Sequence, residues 1–224
     1  MLRGALLAIL IVSLPFPSPA GDMFGPSKEM RFWKWFQKNE ERLFSFEQAQ
    51  EAIFDELSRQ MTAVDPNLTF EFSPVLEDGR REFVISAGGI KDSFPAVEAL
   101  AAEAPSLPRW IWVKFRPRRA FAMALRLDDR EISTEQIRYA MFKDGDLVGL
   151  LLFIEGYNDA EKTAFQQIAY LFLDHFLGEF DVETRVGFIE VGSNDNEYFS
   201  ESRPLTDFPE RFDAYFSEQR KSYH

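Results

Sequence analysis

The chain has 224 residues, with 37 Asp and Glu against 25 Lys and Arg, a formal net charge of −12, two histidines and no cysteine. Disulfides, a cysteine nucleophile and a thiolate metal site are excluded, and with only His175 and His224, far apart in the chain, so is a multi-histidine centre. The acidity argues against a general nucleic-acid binder, which needs a basic face, and 46% hydrophobic with 15% aromatic residues is too rich for disorder.

Arg3 precedes an apolar run over residues 5–14, broken only by Ser13, and Pro15, Pro17 and Pro19 end it. Ser18 and Ala20 are small residues placed for cleavage before Gly21, so the segment reads as an export signal. The run is shorter than the ~20 apolar residues that span a bilayer. The expectation is a periplasmic or secreted protein, with an uncleaved N-terminal anchor as the alternative and no other membrane association. Loss of residues 1–20 removes one arginine and leaves 24 basic against 37 acidic residues, a net charge of −13.

The spacing predicts a helix over 30–38, with Phe32, Trp35 and Phe36 on one aromatic face. A second is expected over 47–63, where Ala49, Ile53, Phe54, Leu57 and Met61 step by three and four before Asp65-Pro66. The period then changes. Leu68, Phe70 and Phe72 alternate as a strand, residues 77–80 turn at Asp78-Gly79, and 82–86 return. A helix over 94–104 follows, with Pro95 in its first turn, and then a strand over 110–115. Residues 116–131 form a connector carrying Arg116, Arg118 and Arg119, in which 121–127 fits a helical turn or a short strand equally well. Strands over 136–142 and 147–155 flank the turn Lys143-Asp144-Gly145-Asp146, and the second is almost wholly apolar, as a central strand should be. Asn158 and Glu161 make a capping box for a long helix ending near Gly178, and 185–191 is a strand. Phe208, Phe212, Tyr215 and Phe216 mark a short docking helix in the tail.

Residues 67–119 and 120–192 therefore repeat one pattern of strand, strand, helix and strand, with Asp-Gly in matching turns. The expected fold is α+β: two ββαβ units in one mixed sheet or two small sandwiches, after a helical segment over 21–66 and before a tail over 193–224. The N-terminal aromatic helices, or a homodimer, would cover an open sheet face. Phe32, Trp33, Lys34, Trp35 and Phe36, with this order of elements, resemble a family of uncharacterised bacterial proteins that begin with a similar aromatic helix; the resemblance implies no activity.

No catalytic residue set, metal site or cofactor is evident. His175 reads as a helix-end residue favoured by the helix dipole rather than a general base. No Gly-x-Ser-x-Gly elbow is present. Gly88-Gly89 lacks the remaining features of a phosphate loop and reads as a relaxed strand-to-helix turn. The stretch 193–197 has oxygen ligands without the calcium-loop spacing. Trp110, Trp112, Lys114 and Arg116 share one side of a strand and are the candidate binding surface, unless the tryptophans lie under a helix. The expectation is an exported acidic binding protein for a partner more basic than anionic. The alternative is a carboxylate-based hydrolase using Asp128, Asp129, or Asp195 and Glu197.

Overall fold

The computed structural model describes residues 25–119, 123–127 and 129–222. The export signal, and Asp128 with it, lie outside the described residues. Three helices come first: α1 (Lys28–Lys38), α2 (Glu40–Phe44) and α3 (Gln50–Thr62). Ser27 caps α1, its hydroxyl accepting from the Met30 N–H at 3.0 Å.

The first sheet holds β1 (Thr69–Phe72), β2 (Arg81–Ser86) and β3 (Trp110–Lys114), in that order. β1 and β2 pair antiparallel, and β3 runs parallel to β2 after the crossover helix α4 (Phe94–Ala102). Phe83 and Ile85 on β2 alternate toward one face, and α1, α3 and α4 bury Phe36, Leu57 and Val97 in the same cluster. The aromatic helix predicted from its spacing thus covers this sheet. Arg81 is buried beneath it, stacked 4.5 Å from the Phe46 ring and bonded to Glu47 at 2.6 Å.

After the connector, β4 (Ala124–Leu127) and β5 (Arg130–Ser133) form a two-stranded hairpin. Of the ambiguous segment 121–127, residues 124–127 are strand and 121–122 lie outside the described residues; β5 lies partly in what the sequence presented as connector. The third sheet has the order β8-β7-β6-β9, with β6 (Ile137–Asp144), β7 (Leu147–Ile154), β8 (Val186–Gly192) and the short β9 (Arg203–Pro204). β6 and β7 are antiparallel and β8 is parallel to β7. The two units therefore repeat the same pairing as well as the same element order, each with its own mixed sheet. The all-apolar β7 is central and buried along nearly its whole length.

α5 (Lys162–Leu177) crosses over from β7, entered through a turn at 159–161 where the Asn158 side chain accepts from the Glu161 N–H at 3.1 Å. α6 (Glu179–Arg185) follows without a loop. The tail helix α7 (Phe208–Ser222) buries Phe208 and Phe212 against the α5 side of the sheet. Tyr139 fixes it there: its buried hydroxyl donates to Asp207 at 2.9 Å, and burial, with that carboxylate, raises its pKa above the usual phenol range. Among the described residues no helix is long and apolar enough to cross a membrane.

Candidate functional site

The tryptophan side of β3 lies against the aromatic helix. Trp110 is 5% exposed and packs edge-on to Phe36 with ring centres 5.0 Å apart. Trp112 lies 4.7 Å from Trp33, and its indole N–H donates to the Pro105 carbonyl at 2.7 Å. The physical reason is the strand's period of two: both rings point where α1 supplies apolar surface. Lys114 pairs with Glu98 at 2.6 Å. Only Arg116, beyond the strand's end, reaches a cleft.

That cleft lies between the two units, and the connector builds it. Arg119 donates its backbone N–H to the His175 carbonyl at 2.7 Å, and Arg118 Nε donates to the Leu177 carbonyl at 2.8 Å. These bonds satisfy carbonyls that the C-terminal turn of α5 leaves open. The arginines are neutralised where they stand. Arg116 pairs with Asp174 at 2.6 Å and Glu71 at 3.1 Å, Arg118 with Asp181 and Asp213, and Arg119 with Glu82 at 3.5 Å.

Beneath the cleft sits Glu179, 0% exposed. Its Oε1 accepts from the backbone N–H groups of Ala87 (2.9 Å) and Gly89 (3.0 Å), and its Oε2 from that of Arg116 (3.0 Å). Gly88 and Gly89 have φ of +61° and +78°, a left-handed course that brings the Ala87 and Gly89 amides to one anion while the Gly88 N–H donates to the Ser86 hydroxyl. The glycine turn is thus an anion cradle after all, and the anion is a side chain of the same protein. Phe115 takes φ +61°, rare for a large side chain, and this turns the Arg116 amide toward Glu179. Gly178, at φ +77°, lets α5 and α6 meet; a Cβ there would stand 2.9 Å from the Arg116 carbonyl oxygen. Phe180 on α6 adds an apolar contact, stacking on Phe94 at 5.9 Å and lying tilted against Phe115 at 5.3 Å, both of the first unit.

Two openings flank this junction and share Arg116, Leu171 and Asp174. One, of about 520 Å³, is walled by Met123, Leu125 and His175; the other, of about 620 Å³, by Gly89, Tyr170 and Glu183. Burial pushes the Asp174 carboxyl above its ordinary value, although Arg116 pulls it down, with the charges of Glu179 and Glu71 adding to the rise. Burial and the negative charges of Asp174 and Glu179 raise Glu183 as well, with Lys91 acting against them. Beside these acids, Tyr170 and Leu171 are 46% and 49% exposed. The cleft is therefore apolar at its rim and acidic within, with its arginines already engaged.

The acids suggested by the sequence lie elsewhere. Asp129 is in the β4–β5 turn; Asp195, exposed, accepts from the Ser193 hydroxyl, which lowers its pKa. Glu197 opens an exposed turn after β8. Among the described residues no three His, Asp or Glu side chains converge as a metal set. Glu179, Asp174 and Glu183 were not singled out by the sequence. The one available signal was Gly88-Gly89, whose anion arrives from about ninety residues away. No family model, no curated protein and no solved structure matches this chain.

Proposed function

We propose that this chain is an exported acidic binding protein whose inter-unit cleft takes a basic side chain of a partner, with the neighbouring apolar residue seated on Leu171 and Tyr170. The observation that carries this reading is the pair of carboxyls, Asp174 and Glu183, raised by burial inside a cleft with an apolar rim. A raised, partly buried carboxylate gains more from an incoming cation than a solvated one. The net negative charge steers a basic partner toward it. Export rests on the sequence of residues 1–20.

The dipeptide acetyl-Leu-Lys-amide is the test, being too short to pair as a strand. It should shift the NMR signals of Leu171 and Glu183. Glu183→Lys should weaken its binding about tenfold, the ~1.4 kcal/mol expected for reversing one charge near a partly buried site. Binding should fade with decreasing pH from above the ordinary carboxylate range, because both groups take up protons early. Unchanged affinity in Glu183→Lys would sink the reading. A carboxylate-based hydrolase is the second reading, and the same two raised carboxyls favour it, in place of Asp128, Asp129, Asp195 and Glu197. The binding reading is preferred because Arg116 pins Asp174.

A further inference from the structure

Among the described residues, the four-stranded sheet ends on an open edge. β8 is its outermost strand on the side away from β9. Its sequence, Val-Gly-Phe-Ile-Glu-Val-Gly, holds neither proline nor lysine, two common devices that keep an edge from pairing. Alternation sends Ile189 and Val191 toward the α5 side and Phe188 and Glu190 to the opposite, outer face. Phe188 is 40% exposed, and its ring lies over Gly149 of β7, where a Cβ would collide with it. Beyond an irregularity in the pairing at Gly187, the aromatic ring packs the strand against its neighbour, while no described strand pairs with its far edge.

Acidic side chains flank this strand. Glu190 projects from mid-strand and is exposed. The Asp144 carboxylate stands against Gly187 near the strand's start, and exposed Asp195 lies three residues beyond its end. The nearest preceding cation, Arg185, is engaged by Asp181 at 3.0 Å.

We propose that β8 takes, as a fifth strand, an extended segment of a protein partner that alternates apolar and basic residues. The open backbone groups of β8 would supply the ladder bonds of strand addition. Apolar side chains on the α5 side would continue the row of Ile189 and Val191. Basic side chains on the outer face would lay their aliphatic stems along Phe188 and bring their charges to Glu190, Asp144 and Asp195. A second copy of this chain is the poorer occupant, because it would set these acids against one another. The edge shares no residue with the inter-unit cleft, so either site can fail alone.

The capped heptapeptide Lys-Val-Lys-Val-Lys-Val-Lys, followed by fluorescence anisotropy on the full chain, tests this. It should bind, and amide exchange should slow over residues 186–192. Replacing its middle valine with proline should abolish binding, and Glu190→Lys should weaken it about tenfold, as expected for reversing an opposed cross-strand charge pair. Asp195→Lys, outside the strand, should weaken it in the same direction, and Glu183→Lys should leave it within about twofold. The proposal is overturned by equal binding in Glu190→Lys and Asp195→Lys, by equal binding of the proline peptide, or by protection confined to other segments. Sedimentation showing two copies paired through β8 in place of the peptide would overturn it too.

Discussion

Glu179→Ala is expected to destabilise the protein by about 3–5 kcal/mol, because one substitution strips the acceptor from three hydrogen-bond donors at once. Three backbone N–H groups, those of Ala87, Gly89 and Arg116, converge on this one carboxylate. Without it the buried Ala87 N–H lacks an acceptor, at about 1–3 kcal/mol, and the part-buried Gly89 and Arg116 N–H groups lose theirs at a smaller cost each. Glu179→Gln should recover part of the loss. Its amide oxygen can face Ala87 and Gly89, but its NH₂ group then meets the Arg116 N–H donor to donor. Urea denaturation of the three proteins checks the order wild type, Gln, Ala. An alanine variant within about 1 kcal/mol of wild type would mean that water fills the cradle at little cost.

The second large effect belongs to Phe83. Its ring lies within 6.3 Å of Phe32, Trp33, Phe36, Phe70, Phe72 and Trp112, which makes it the meeting point of α1, β1 and β3. Phe83→Ala should cost about 3–5 kcal/mol, because these rings are tied to three different elements and cannot all collapse into the vacated space. Phe83→Leu should cost less. Near-ultraviolet circular dichroism would report the loss directly, since Trp33 and Trp112 sit against the cavity. A thermal midpoint unchanged in Phe83→Ala would show that the first sheet does not depend on this cluster.

Much of the architecture was legible because its signals are local. Phe70 and Phe72 alternate across one strand; Asp78-Gly79 and Asp144-Gly145 turn two hairpins; Asn158 and Glu161 mark a helix entrance; Phe208 and Phe212 mark a helix face. Two elements were hidden for equally local reasons. α6 has only seven residues and starts directly after Gly178, so it shows less than two turns of periodicity. In β4 and β5 three of the four exposed positions are taken by charges, Arg126, Arg130 and Glu131, which read as connector. The site was hidden for a different reason. Alternation says that Trp110 and Trp112 share a face with each other, but not that α1 lies on it. Likewise Gly88-Gly89 shows a turn able to hold an anion, but not that Glu179 will be the anion. Both facts depend on contacts between distant parts of the chain.

The Glu179 cradle also bears on the order of events in folding. Its three bonds join residues separated by 92, 90 and 63 positions. Loop closure over such spans loses chain entropy before any contact compensates, so these bonds belong late on the path, after each ββαβ unit has formed its own hairpin and crossover. A contact made after the rate-limiting barrier acts on escape from the native state and hardly on arrival there. In stopped-flow chevrons, Glu179→Gln should therefore steepen nothing and slow nothing on the refolding arm, while raising the unfolding rate by nearly the whole stability difference. That places the protein's endurance against unfolding in the hands of one interior carboxylate, acting as a brake on disassembly.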